Sequence, residues 1–595
     1  MSSKELSTPS PPTNQHDADT GVSVMDLRPI TAPRLTGTTL TLFAKFTRFP
    51  GLGNALLKKI KKDNDFQHVR YFAGTLATTP LYYPLRPPSP AQLDEHDALA
   101  SDFSISRLAA TIPPEARGPF HHWTIQNFTD RYRAGTMTPL QAITAVLDAI
   151  DASNARSPPL MAIIKCNRDA VLQAAEASAA RYANNAPLGV LDGVPIAVKD
   201  ELDVIGYTTS YGTTFLGDVR GIASADAVPV ARLRRLGAIV VGKTNMHEVG
   251  LGTFGINVRL GTARNPYNDE HMTGGSSSGS AAAVTAGLVP LAIGCDGGGS
   301  IRIPSGLCGI VGLKATFMRI PHLVQACPSV GHVGPMAATV QDAALAYAIM
   351  SGPEPDLLMS QCQPPPFVLP YPPKVPSSRG LLGGLRVGIY TDYLDGVDTA
   401  IASVFWEYVA YLKHVGATVV QVAIPHLQAI HLSHAITILT ELSQHLDDQP
   451  VQRFSPDVQI NLGLARQTID SLDFVAAQKV RAYAIELVHG LFDQVDVLFT
   501  PTTATLAPHI HPDALKSGLS DLDLTTALMR FVVLGNLVGI PGMSLPLGFD
   551  DASGLPISMQ FQAKHWNEHL LIHVARILEA HAPTKQPSVY YSVLS

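Results

Sequence analysis

The chain has 595 residues, of which 46% are hydrophobic and only 15% charged, against about 25% charged in an average domain; that balance excludes intrinsic disorder over most of the length. A net charge of −6 excludes a protein that holds nucleic acid by neutralising phosphates, which would be basic. Five cysteines, odd in number, widely spaced and without a CxxC, exclude a disulfide framework or a zinc-finger array and fit a reducing, intracellular compartment.

Residues 1–30 are expected to form a disordered polar tail. Met1 to Gly21 has no apolar core and is no secretory signal. Residues 31–115 are expected to form an amphipathic helical extension and wrap. Leu42, Phe43, Phe46 and Phe49 recur at helical spacing, with Lys45 and Arg48 off that face, before Pro50-Gly51 breaks the chain. Leu52, Leu56 and Ile60 begin a second apolar stripe flanked by Lys58, Lys59, Lys61 and Lys62. The pattern predicts two short basic amphipathic helices that either pack on the body or face lipid. Residues 67–115 read as a Pro-rich, irregular wrap.

From about residue 120 strands alternate with helices. Thr138-Pro139 starts a helix with Leu140, Ile143, Leu147 and Ile150 on one face, and Asn167 caps the next helix, to about Tyr182. Val194–Val198 and Ala238–Val241 read as strands, Val228–Leu236 and Ser276–Ala286 as helices, and Val289–Ile293 as a strand. Thr339 with Asp342 resembles a capping box. Residues 352–380 read as an exposed Pro-rich insertion. Strands follow at Leu385–Tyr390, 417–423 and Val495–Thr500. Phe531 to Phe549 is free of charge but holds Pro541 and Pro546, and so reads as a buried helix ending near Ile540 and a core strand rather than a membrane span. The alternation predicts an α/β fold: one large twisted mixed sheet covered by helices on both faces, over residues 116–595.

Three segments carry chemistry: Thr273-Gly274-Gly275-Ser276-Ser277-Ser278-Gly279-Ser280, Asp296-Gly297-Gly298-Gly299-Ser300-Ile301-Arg302 and Gly193-Val194-Pro195-Ile196-Ala197-Val198-Lys199-Asp200. None is a P-loop, a dinucleotide fingerprint or a GxSxG elbow. Together, and in this order, they resemble the amidase signature family. The likeness runs from about 120 to 590 and takes in Gly242-Lys243-Thr244-Asn245-Met246-His247-Glu248, Arg264-Asn265-Pro266 and Pro304 to Lys314. Ala32-Pro33-Arg34-Leu35-Thr36-Gly37, Lys61-Lys62-Asp63-Asn64 and Pro512-Asp513-Ala514-Leu515-Lys516 narrow it to the plant-type fatty acid amide hydrolase group.

The resemblance implies a Ser–Ser–Lys hydrolase. Ser300 would attack the amide carbonyl, Ser276, on a cis peptide, would bridge, and Lys199 would be the base. A serine hydroxyl needs such a base, and an amine leaves only when protonated. Burial favours the neutral lysine that the task requires; Asp200 would oppose this, but alternation along a strand turns it away. The N–H groups of Gly297, Gly298, Gly299 and Ser300 would form the oxyanion hole. Ser277 would support the relay, and Asp296 and Arg302 would fix the loop as a charge-assisted pair. Lys243, Asn245, His247 and Glu248 read as structural or substrate-proximal, and Cys295 and Cys308 as small buried residues. No cofactor and no metal is implied. The expected substrate is a lipid amide of the N-acylethanolamine type. The expected assembly is a homodimer, with no nucleic-acid partner and with peripheral membrane contact through the N-terminal helices. A short-chain amidase of the same family is the alternative; a catalytically silent lipid-binding protein fits less well, since Lys199, Ser276 and Ser300 are all present.

Overall fold

The structure is a computed structural model that describes residues 25–28, 33–111, 120–370 and 380–595. Most of the expected tail at 1–30, and residues 112–119 and 371–379, lie outside the described residues.

Eleven strands form one mixed sheet. In chain order they are β1 (Ile163–Lys165), β2 (Pro195–Lys199), β3 (Ile239–Thr244), β4 (Leu291–Asp296), β5 (Val311–Lys314), β6 (His332–Ala337), β7 (Arg386–Ile389), β8 (Thr418–Gln421), β9 (Val497–Pro501), β10 (Gly542–Phe549) and β11 (Pro556–Ala563). Across the sheet the order is β8-β7-β9-β11-β10-β5-β6-β4-β2-β3-β1. Strands β2 and β4 are buried at every position, as central strands covered on both faces must be. The expected α/β architecture is therefore present, and the charge-free stretch at 531–549 is a short helix, Val533–Leu537, followed by β10. Among the described residues no helix is long and apolar enough to cross a membrane.

Strand β2 lies between β3 and β4 and runs parallel to both. All three end at one edge of the sheet, so Lys199 and Asp296 emerge side by side. The carboxyl edge of parallel strands is where open α/β sheets build their sites. Both Gly/Ser loops meet there and run into short helices, one over Ser278–Thr285 and one over Arg302–Leu307. Gly279, in the first turn of the former, touches backbone: a Cβ on it would lie 2.4 Å from the Ala162 carbonyl oxygen and 2.4 Å from the Asn245 nitrogen. Neither strand-end backbone can retreat, so Gly279→Ala is expected to cost about 1–3 kcal/mol by overpacking, read as a lower urea midpoint.

The N-terminal region differs from its sequence reading in three ways. First, the expected helices are present, α1 (Gly37–Phe46) and α2 (Leu52–Asp63), but α1 turns Leu40 and Ala44 inward against Ile460. Leu42, Phe46 and Phe49 are left about half exposed, while Phe43 packs against that small cluster. In α2 the buried residues are Gly53 and Leu57, not the Leu52 that began the predicted stripe. Second, the basic residues are not all solvent-facing. Lys61 and Arg70 both pair with the buried Asp473, which ties the extension to the body. Third, residues 67–111 are not irregular: they contain α3 (Gln67–Thr75), α4 (Pro90–Ala100) and α5 (Ile105–Ala109). Prolines concentrate between Pro80 and Pro90, and the last of them starts α4 behind a Ser89 capping box, the position where proline favours a helix.

In the 352–380 segment, residues 353–361 are largely exposed as expected, but residues 364–369 pack against the body. Phe367 is buried between His96 and His569, and the carbonyls of Pro365 and Leu369 accept from Arg319 and Arg576. A proline-rich run offers few N–H donors but keeps every carbonyl, and buried arginines need acceptors. Thr339 caps its helix through the Asp342 N–H, 3.1 Å away, but the Asp342 carboxyl turns to the Ile125 N–H instead of closing the box.

Candidate active site

Lys199 ends β2 with its side chain 1% exposed. Its Nζ donates to Ser276 Oγ at 2.7 Å and to the Cys295 carbonyl at 3.3 Å. The Gly275–Ser276 peptide is cis. Ser277 donates to the same Cys295 carbonyl at 3.2 Å, and its N–H donates to the Ser300 carbonyl at 3.3 Å. Ser277 therefore shares an acceptor with Lys199 rather than bonding the relay directly. The structure thus brings the two serine loops and the lysine strand onto one cavity, lined by Lys199, Ser276 and Ser300 together.

The loop that carries Ser300 is built on Asp296. Its carboxylate accepts from the N–H groups of Gly299 (2.6 Å) and Ile301 (3.2 Å) and from Arg302 Nε (3.0 Å). Burial alone would push the Asp296 carboxyl upward; the Arg302 guanidinium, Lys314 and Asn536 outweigh it and hold it far below the usual carboxylate range. Arg302 also donates to Gln560 and Asn536, at 2.9 and 2.6 Å. Gly299 consequently departs from its expected part in the oxyanion hole: its N–H is taken by Asp296. The N–H groups of Gly297, Gly298 and Ser300 have no protein partner among the described residues and remain available to an oxyanion. His434 fixes the other side of the loop. Burial lowers its imidazole to about 4, so it is neutral, and its Nε2–H donates to the Gly297 carbonyl at 2.7 Å.

Asp200 is turned away from Lys199, as alternation requires, and pairs with Lys165 and Lys243 at 3.1 and 3.2 Å. Asn245 holds the Met161 and Gly261 carbonyls, and Glu248 accepts from Ser455. With His247 beside Asp457, this run is structural, and none of it lines the cavity. Cys295 and Cys308 are buried, and burial pushes both thiols up, which keeps them unreactive.

Three residues at the site were not legible as such in the sequence: Glu201, His434 and Asn536. Glu201 Oε2 lies 2.8 Å from Lys199 Nζ. Strand alternation could not have found it, because β2 ends at Lys199 and residues 200 and 201 lie in a turn. No local pattern marks His434 or Asn536.

The cavity holds about 30 Å³, room for roughly two waters. Its polar side is Lys199, Glu201, Ser276 and Ser300; its apolar side includes Val249, Leu251, Val324, Ala326, Ile438 and Leu442. Val249 is a β-branched residue held at φ 50°, a conformation that costs about 1–3 kcal/mol and tends to occur at functional sites. No residue of α1–α3 lines the cavity. The contact is indirect: α1 and α2 pack on the Pro456–Thr468 helix, whose Val458 and Leu462 pack with Leu442, Val249 and Ala326.

The Amidase family profile matches residues 141–572. The chain is 36% identical over 592 residues to a fatty acid amide hydrolase of Arabidopsis thaliana, covering 95% of each. It is 36% identical over 593 residues to one of Medicago truncatula, covering 95% of this chain and 96% of that one. The crystal structure of a bacterial aryl acylamidase of the amidase signature family superposes with a TM-score of 0.68 at 25% identity, over 78% of this chain and 97% of that one.

Proposed function

We propose, from the premise that this chain belongs to the amidase signature family and is an amide hydrolase, that it cleaves fatty acid amides of the N-acylethanolamine type into fatty acid and amine. The observation that carries the catalytic part is the 2.7 Å hydrogen bond between Lys199 Nζ and Ser276 Oγ on the cavity that also holds Ser300. Ser300 Oγ attacks the amide carbon as its proton passes to Ser276 and that of Ser276 to Lys199 Nζ. The oxyanion is met by the N–H groups of Gly297, Gly298 and Ser300. The relay runs backward to protonate the departing amine, and water then releases the acid from Ser300.

The acyl preference is supported by the extent of the likeness to the plant fatty acid amide hydrolases, which spans 95% of the chain and so includes the extension outside residues 141–572. A panel of acyl amides tests the reading: long-chain ethanolamides are expected to turn over faster than short-chain amides, and the reverse order would favour a short-chain amidase. Deleting residues 31–66 is expected to cut long-chain turnover about tenfold more than short-chain turnover, since the deletion strips support from Val458 and Leu462, which pack behind the Leu442 wall, and a tenfold difference is about 1.4 kcal/mol of lost binding. Equal losses on both substrates would detach the extension from acyl selection.

A further inference from the structure

We propose that Glu201 is a positioning residue for the proton relay, one that fixes the Lys199 amine on Ser276. The inference rests on the reading above, in which Lys199 is the base. Glu201 lies two residues past Lys199, in the turn that the Leu202 N–H closes on the Lys199 carbonyl at 3.1 Å. Its side chain is 5% exposed and that of Lys199 1%, with Oε2 2.8 Å from Nζ. Apart from this contact Oε2 has no partner among the described residues. A buried carboxylate oxygen is costly to keep without a donor, and this one touches Nζ and lines the cavity.

The geometry around Nζ gives the carboxylate its task. A neutral amine has two N–H bonds and one lone pair. Nζ has three neighbours: the Cys295 carbonyl at 3.3 Å, Glu201 Oε2 at 2.8 Å and Ser276 Oγ at 2.7 Å. The first two can only accept. Once the amine is neutral and its two N–H bonds point at these acceptors, the lone pair takes the place of the N–H now directed at Ser276 and faces the one neighbour that has a proton to give. Other titratable groups whose charge couples to Glu201 do not compete for it as cations: burial lowers His322 to about 4 and lowers His445 as well. Without Glu201, a flexible four-carbon side chain is anchored only by the long bond to Cys295 and by Ser276 itself.

The test compares Glu201→Leu and Glu201→Gln with the wild-type full chain, on an acyl amide and on a p-nitrophenyl ester of the same acid. A misplaced base slows attack on both substrates, but only the amide also needs its leaving group protonated. For Glu201→Leu, kcat on the amide is expected to fall about 100-fold, the ester at least about tenfold less than that, and KM to stay within about threefold. Glu201→Gln, whose side-chain oxygen still accepts and which preserves shape if the leucine variant folds poorly, is expected to recover at least about tenfold of the amide loss. Equal losses on amide and ester, or wild-type amide turnover in both variants, would overturn the assignment. A wild-type chain with no turnover of any amide would instead sink the functional reading itself, so the two failures are distinguishable.

Discussion

Ser300→Ala is expected to leave the fold intact, to lower kcat/KM for a long-chain acyl amide by about 10⁴-fold or more, and to abolish covalent labelling by a fluorophosphonate probe. The substitution removes one oxygen from a side chain that already faces the cavity and is the most exposed of the three relay residues, at 8% against 1% for Lys199 and Ser276. The backbone bond from the Ser277 N–H to the Ser300 carbonyl and the Asp296 scaffold do not involve the hydroxyl, so the loop keeps its shape. An unchanged melting curve together with lost labelling separates chemistry from folding. Labelling that persists in the variant would move the nucleophile elsewhere.

The largest stability effect is expected at Asp296. Asp296→Ala removes the only carboxylate paired, among the described residues, with Arg302, whose side chain is completely buried. The remaining partners of that guanidinium, Gln560 and Asn536, are neutral. Breaking a buried pair in this way costs about 3–5 kcal/mol, because a charge is left uncompensated away from water. It also releases the Gly299 and Ile301 N–H groups, so the oxyanion loop loses its anchor. Asp296→Asn keeps an acceptor and is expected to lose less. Urea unfolding followed by circular dichroism measures both; a midpoint unchanged in Asp296→Ala would show that the pair does not hold the loop. The sign of the pH dependence follows from the direction of the shift. A carboxyl depressed in the folded state stabilises above its ordinary range, near pH 4, and loses that contribution only as the pH falls into strong acid.

Much of the fold was readable because its local and global signals agree. Thr138 caps its helix behind Pro139 and Asn167 caps the next, each satisfying N–H groups that every helix start leaves open. The β-rich runs before Lys199 and Asp296 became central strands because sequences that can be covered on both faces leave little other choice. The errors fell where a side chain's partner lies far along the chain. Residues 352–370 look like linker until Arg319 and Arg576 are brought to their carbonyls. The outward aromatic residues of α1 look like its packing face until Leu40 and Ala44 meet Ile460. The charge of Lys61 looks solvent-facing until Asp473 is placed beside it, more than 400 residues downstream.

The sequence by itself determined the chemical types at the site and their order: a lysine ending a buried strand, and two Gly/Ser loops each opening a short helix. Those are local properties, set by alternation, capping and the backbone freedom of glycine. Tertiary structure decided how these groups are used. Packing of the Ser278–Thr285 helix on β2 and β4 put Ser276 2.7 Å from Lys199. Folding of the Asp296 turn committed the Gly299 N–H to the scaffold and left its neighbours free. Burial left Lys199 facing a single carboxylate, Glu201. A residue's proton and hydrogen-bond commitments depend on whatever stands within about 3–4 Å of it, and in this fold those neighbours arrive from strands and helices tens to hundreds of residues away.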